Sequence, residues 1–102
     1  MKLIVGHFYA RPGQRQNYLD AARHHMEESR KEPGCLFFEL VPLPDHPDGM
    51  LLAEGFVSEE AHRSHENTEH MRALWAVGPD LLDRVDIHNL VASTERKQER
   101  FD

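Results

Sequence analysis

The stretch EPGCLFFEL, residues 32–40, decides how this chain folds. Its proline and glycine end a helical pattern, because proline disfavours helical geometry in the residue before it and glycine accepts the left-handed turn that often follows a helix. The apolar run that begins at Cys35 has the composition of a β-strand. A helix, a turn and a strand are therefore predicted to follow one another directly here.

The residues before this stretch predict a strand and an amphipathic helix. Residues 3–10 are rich in β-branched, aromatic and other apolar side chains, and the run Arg11-Pro12-Gly13 stops them as a turn stops a strand. From residue 14 to residue 32 the spacing becomes helical, and one face of that helix carries Tyr18, Ala22, Met26 and Ser29.

The residues after it predict a hairpin, a second helix and a last strand. Strands 35–41 and 50–57 flank a segment dense in turn formers, so they should pair antiparallel. Ser58 has the character of a helix N-cap, and the apolar stripe changes direction near Asn67 and Thr68, which predicts a break there. Gly78 and Pro79 are expected to end this helix, and Leu81 and Leu82 to form one more short turn before strand 85–92.

The order β-α-β-β-α-β predicts a ferredoxin-like α+β fold, with a four-stranded antiparallel sheet under two helices. Its strands are apolar at consecutive positions, which indicates that both sheet faces are covered. Helices would cover one face and the sheet of a second copy the other, forming a homodimer. We expect one domain over residues 1–95 and a polar tail over residues 96–102.

The overall charge and the cysteine count limit the partners and the compartment. A formal net charge of −6 argues against nucleic-acid binding, which depends on clustered Lys and Arg. No segment of the sequence is predicted to span or target a membrane. The single cysteine, Cys35, excludes an internal disulfide and favours a cytoplasmic location.

Four motifs in a fixed order make the chain resemble the antibiotic biosynthesis monooxygenase family over about residues 3–92. They are the EPGC entry to strand two, Glu54 in strand three, the SEEAHRSH opening of helix two at residues 58–65, and TEHM at residues 68–71. The resemblance implies a dimeric α/β barrel in which each protomer has a cavity between its sheet and its helices. It also implies a cofactor-independent reaction on a small aromatic or enol-like molecule.

Glu54 and His65 are the candidate catalytic residues. Period-two alternation places Glu54 on one strand face with Leu52 and Phe56, so it is an acid in an apolar row that needs a partner. His65, on the inward edge of the next helix, is the nearest candidate, and both residues match the family pattern. A Glu that orients a His makes a general base, although the same pair could simply tie helix two to the sheet.

The candidate substrate-binding residues are mostly aromatic or apolar. Such side chains suit a slot for a flat ligand, and they equally suit a plain core. The break near Thr68 would turn one further candidate, a histidine, towards the cavity. The predicted set is Phe8, Phe38, Phe56, His70, Met71 and Trp75.

No metal site and no cofactor are predicted, although the chain has eight histidines. Zinc-binding helices place two histidines four residues apart on one face, whereas His65 and His70 are five positions apart. On a straight helix these two side chains would point in nearly opposite directions.

The preferred hypothesis is a monooxygenase that oxidises a quinol or polyphenol with dioxygen, using His65 as the base. One alternative is an isomerase that moves a proton α to a carbonyl, for which Arg63 and Arg72 are the only nearby cations for a phosphorylated substrate. The other is a non-enzymatic ligand-binding or stress module, whose cavity would be closed by Phe56 and Trp75.

Overall fold

The computed structural model describes residues 1–91. The predicted polar tail and the last residue of the predicted fourth strand, Ala92, lie outside the described residues. The elements in chain order are β1 (Lys2–Ala10), α1 (Arg15–Lys31), β2 (Cys35–Pro42), β3 (Gly49–Phe56), α2 (Glu59–Glu66), α3 (Glu69–Leu81) and β4 (Leu82–Val91).

The four strands form one antiparallel sheet in the order β2-β3-β1-β4, which confirms the predicted ferredoxin-like arrangement. Residues paired across neighbouring strands share a face of the sheet. The inner face carries the row Phe38, Glu54 and Ile4, all of them buried. The outer face carries the row Phe37, Gly55 and Leu3, and Phe37 is 41% exposed.

The helices lie on the inner face and follow the predicted periodicity. Tyr18, Ala22 and Ser29 of α1 are buried, and His25 is buried with them. The predicted break is a full separation of α2 from α3, because Thr68 caps a new helix by accepting a hydrogen bond from the backbone N–H of Met71 at 3.3 Å.

The prediction that Gly78 and Pro79 end this helix is wrong. α3 continues to Leu81 with Pro79 inside it, and the backbone N–H of Leu82 bonds to the carbonyl of Gly78. Proline restricts the residue before it mainly through that residue's Cβ, which glycine lacks, so the Gly-Pro pair allows one more turn. Arg11 stabilises that turn by donating to the carbonyl of Pro79 at 2.8 Å.

The turn at Pro33 and Gly34 packs directly against α2. A Cβ on Gly34 would collide with the side chain of Ala61, so only glycine permits this approach. The carbonyl of Gly34 also accepts a hydrogen bond from the N–H of Val57 at 2.8 Å. The end of α1 is thereby held next to α2. Within residues 1–91, no helix combines the length and the apolar character needed to cross a membrane.

Candidate functional site

A cavity of about 350 Å³ lies between the inner face of the sheet and the helices α1 and α3. Most of its wall is apolar. The wall includes Phe8, Ala22, Phe38, Leu40, Leu52, Met71, Leu74, Trp75, Val85 and Ile87. Trp75 is 67% exposed and stands at the rim, so the cavity is not closed by it. The volume suits a flat molecule of two or three fused rings, because ligand sites of this kind are mostly apolar and begin at roughly 300 Å³.

Two buried polar side chains, Glu54 of β3 and His25 of α1, interrupt this apolar wall. Glu54 is 6% exposed and His25 is 4% exposed. Tyr18 joins the wall from α1, and burial followed by the nearby Glu54 carboxylate raises the pKa of its phenol above the usual range. A ligand that enters the cavity therefore meets a carboxylate and an imidazole at its polar end.

His65 lies behind this wall, between two carboxylates. Its Nδ1 is 3.1 Å from Oε2 of Glu32, and its Nε2 is 3.3 Å from Oε1 of Glu54. The second contact is an ion pair without hydrogen-bond alignment, so Nε2 has no hydrogen-bond partner within residues 1–91. The predicted proximity of Glu54 and His65 is confirmed. His65 itself is fully buried and lies outside the cavity lining.

Glu32 also contacts a second histidine, His70. Its Oε2 is 3.0 Å from Nε2 of His70, whose Nδ1 is 2.7 Å from Nδ1 of His25. Glu32 is the C-cap residue that follows α1, and the close packing of the next turn against α2 brings its carboxylate to His65. The five side chains Glu54, His65, Glu32, His70 and His25 thus form one connected series, which we call the His-Glu network.

The pKa values of two histidines in the His-Glu network are shifted in opposite directions. Burial lowers the pKa of His65, but the carboxylates of Glu54 and Glu32 raise it by more, so the pKa lies above its ordinary value. Burial lowers the pKa of His25 to about 3, with the positive charges of His65 and His70 acting in the same direction. The carboxylates therefore favour the protonated form of His65, whereas His25 is a neutral imidazole on the cavity wall at neutral pH.

The structure separates the sequence-predicted site residues into two groups. Phe8, Phe38, Met71 and Trp75 line the cavity, together with Glu54. Phe56 is fully buried outside the lining, with its ring centroid 5.0 Å from that of His65. His70 points away from the cavity and into the His-Glu network. Arg63 and Arg72 also lie outside the lining.

No role for Glu32 or His25 is predicted from the sequence. On a straight helix His65 and His70 would point in nearly opposite directions, whereas the break at Thr68 places their ring centroids 5.9 Å apart. One feature of the sequence could have indicated a role for Glu32, namely its position immediately before Pro33. A side chain at a helix end that is followed by a tight turn is held in a defined place.

The same region contains a set of groups able to hold a metal ion. One ligand atom each from His25, His65 and Glu54 lie within 4.8 Å of one another. Two imidazoles and a carboxylate are common ligands of zinc and of other first-row transition metals. Whether an ion binds there is open to direct test by metal removal.

Comparison with known proteins agrees with this architecture. The chain is similar to a putative antibiotic biosynthesis monooxygenase from Nitrosomonas europaea, at 18% identity and a TM-score of 0.84 over 90% of this chain and 98% of that one. It is also similar to a protein from Pseudomonas aeruginosa, at 25% identity and a TM-score of 0.83 over 90% and 93%. A protein from Mycobacterium tuberculosis matches at 24% identity and a TM-score of 0.84 over 94% and 98%.

No curated protein matches the chain significantly. The sequence model described as antibiotic biosynthesis monooxygenase matches residues 1–76, a segment that contains β1 to α2, most of α3 and all five members of the His-Glu network. The chain therefore belongs to the antibiotic biosynthesis monooxygenase family.

Proposed function

We propose that this protein oxidises a small phenol or polyphenol with dioxygen, without a cofactor, and that Glu54 accepts the substrate's hydroxyl proton. The observation that carries the proposal is the position of Glu54, a nearly buried carboxylate on the wall of a mostly apolar cavity. A base within reach of the substrate is the first requirement of general-base catalysis. His65 was the base expected from the sequence, but Glu54 stands between it and the cavity.

His65, whose protonated form is favoured between the two carboxylates, is the charge partner of Glu54 in this proposal. A carboxylate facing an apolar space would otherwise be costly to keep ionised. Nε2 of His65 lies 3.3 Å from Oε1 of Glu54, close enough for a positive charge on the ring to stabilise the carboxylate. Glu32 fixes the other side of His65, so the ring is held between two acceptors. His65 therefore acts as a positioning residue in this proposal.

The reaction balances without an external reductant. Glu54 takes the phenolic proton, and the anion forms a carbon–oxygen bond with dioxygen at a ring carbon that carries hydrogen. The peroxide takes that proton back, the ring C–H proton leaves, and the O–O bond breaks with loss of hydroxide, which becomes water. Phenol plus dioxygen thus gives quinone plus water: the ring is oxidised and dioxygen is reduced. The apolar wall keeps bulk water away from the anion.

The open cavity favours an enzyme over the binding module considered from the sequence. That alternative would have Phe56 and Trp75 closing the space, whereas Phe56 lies outside it and Trp75 stands exposed at its rim. The phosphorylated-substrate isomerase has no support from Arg63 or Arg72, because neither lines the cavity.

Oxygen uptake tests the proposal directly. The protein, dialysed against a chelator, is mixed with a panel of naphthols and polyphenols, and dioxygen consumption is followed with quinone absorbance. We expect dioxygen and quinone to change in equal amounts, with no added cofactor. Rates equal to the protein-free control would overturn the proposal. Activity that vanishes on chelation and returns with Zn²⁺, Fe²⁺ or Mn²⁺ would instead show that the His25, His65 and Glu54 set holds a metal.

We also propose that the protein is a homodimer through the outer sheet face. That face leaves Val5 and Phe37 exposed at 37% and 41%, and Val41 and Leu90 at 43% and 52%. A sheet normally shows polar residues where it meets water. Burying this face against a second copy would remove a contiguous apolar patch from solvent.

The substitution Phe37→Glu tests this interface. Light scattering coupled to gel filtration should give a dimer for the wild type and a monomer for the variant, because a charge would be buried within the contact. Val77→Glu on α3 is the control, since Val77 is 38% exposed and lies away from the sheet. A monomeric wild type would refute the proposed dimer.

A further inference from the structure

Three buried side chains from three different elements meet at the polar end of the cavity. They are His25 of α1, His65 of α2 and Glu54 of β3, and one ligand atom of each lies within 4.8 Å of the others. None of the three is more than 6% exposed. Because they come from separate elements, the spacing of histidines along one helix could not have indicated them.

His65 is held in the way that metal-binding histidines are held. Its Nδ1 donates to the carboxylate of Glu32 at 3.1 Å, since a carboxylate only accepts. Its Nε2 is buried beside Glu54 and has no hydrogen-bond partner among the described residues. A histidine that binds a metal through one ring nitrogen almost always donates the other N–H to a carboxylate or carbonyl. Buried polar atoms normally have partners, so the unpartnered Nε2 marks a place for a ligand.

The spacing of these atoms suits a small divalent ion. Zinc binds imidazole nitrogens and carboxylate oxygens at about 2.0 to 2.2 Å, so two ligand atoms of a tetrahedral site are roughly 3.4 Å apart. Nε2 of His65 and Oε1 of Glu54 already have this spacing, at 3.3 Å. A ligand atom of His25, which lies within 4.8 Å of both, needs to move by roughly 1.4 Å or less to reach it.

The charges around His65 also favour a cation. The carboxylates of Glu54 and Glu32 lie on its two sides, so a positive charge at this ring is stabilised by both. A metal ion takes the place of any proton on Nε2, because the ion and the proton use the same lone pair. Two imidazoles and one carboxylate select for zinc and similar transition metals, whereas Mg²⁺ and Ca²⁺ prefer oxygen ligands.

We propose that His25, His65 and Glu54 bind one zinc ion and that the bound ion inhibits the oxidation. The inhibitory part rests on the proposed function, in which the Glu54 carboxylate accepts the substrate's proton. An ion on that carboxylate occupies the lone pair that would take the proton. It also fills the polar end of the cavity, because Glu54 and His25 both line the cavity wall.

Isothermal titration of the chelator-dialysed protein with Zn²⁺ tests the site without any substrate. We expect one ion to bind per chain, and an excess of Mg²⁺ to leave the zinc affinity unchanged because Mg²⁺ prefers oxygen ligands. A wild type that binds no zinc would overturn the inference and leave the proposed function standing. If no phenol is oxidised, the proposed function and the inhibition both fail, and the titration still decides whether the site exists.

Oxygen uptake in the presence of Zn²⁺ tests the inhibition. The rate of phenol oxidation should fall as zinc is added, and the fall should follow the binding curve from the titration. A rate that does not change when the site is full would overturn the inhibitory role. A rate that rises with zinc would overturn both that role and the cofactor-free reaction.

Two variants locate the ion. Glu32→Gln keeps the three ligands and removes the carboxylate behind His65, so the zinc affinity should fall roughly 10- to 100-fold, as is usual when a metal-binding histidine loses its partner. His25→Phe removes a ligand and keeps a ring on the cavity wall, and it should weaken binding further. The control is His24→Phe, which replaces the adjacent exposed histidine of α1 and should bind zinc like the wild type. Wild-type zinc affinity in either Glu32→Gln or His25→Phe, with folding confirmed by circular dichroism, would contradict the proposed site.

Discussion

Replacing Glu54 by glutamine is expected to lower kcat for polyphenol oxidation by about 10²- to 10⁴-fold, the usual contribution of a positioned proton acceptor. Glutamine has the same shape as glutamate but does not take a proton at neutral pH. Because the proton transfer belongs to the transition state rather than to binding, KM should change far less than kcat. Steady-state oxygen uptake across a range of substrate concentrations measures both quantities.

Glu39→Gln is the matched control for this experiment. Glu39 lies on β2, next to Phe38, but on the outer side of the sheet, where it forms a surface ion pair with Arg30 at 3.0 Å. Its variant should turn over within about twofold of the wild type, since Glu39 does not line the cavity. If Glu54→Gln retained a wild-type kcat, Glu54 would not be the proton acceptor.

The substitution His65→Leu is expected to cost about 3 to 5 kcal/mol of unfolding free energy at pH 6, because it leaves Glu54 and Glu32 without their shared cation. His65 is fully buried, and its two nitrogens lie 3.1 and 3.3 Å from those carboxylates. Leucine is similar in volume, so loss of packing is a smaller part of the effect. Urea unfolding followed by circular dichroism gives the difference.

The pH dependence separates charge from packing in this variant. The pKa of His65 is raised in the folded state, so its stabilising proton is fully bound below the ordinary value of 6.5 and is lost as the pH rises through the raised value. The difference in unfolding free energy between wild type and variant should therefore become smaller from pH 6 to pH 9. In a Glu54→Gln background the same substitution should lower the unfolding free energy by a smaller amount, because one of the two carboxylates has already been removed. His24→Leu on the surface should change little, and a pH-independent gap would point to packing alone.

Much of the fold could be predicted because it depends on local spacing. The helical recurrence of Tyr18, Ala22 and Ser29 and the turn at Pro33 and Gly34 gave the first helix and its end. The change in direction of the apolar stripe near Thr68 predicted the break between α2 and α3. The exception was Pro79, whose usual effect on a helix is weakened by the glycine before it and by a hydrogen bond from Arg11, which is distant in the sequence.

The candidate site could be predicted only in part. The alternation along β3 predicted that Glu54 lies on the inner sheet face, and the helical spacing of α2 predicted that His65 lies near it. Both predictions were possible because each depends on the period of a single element. The placement of Phe56 outside the cavity and of His25 on its wall depends on how α1 and α3 sit over the sheet. The spacing of residues within one segment does not show how two helices pack over a sheet.

Local patterns were enough to predict the order of the elements, the family, and the inward position of an acid and a histidine. The packing of the folded chain was needed to show that Glu54 and not His65 faces the cavity, and that Glu32 links His65 to His70 and His25. The difference can be traced to the EPGC stretch at residues 32–35. Its turn ends a helix, which the sequence reveals, and it also packs against Ala61 of α2, which sets the distance from Glu32 to His65 and is fixed only when the chain folds.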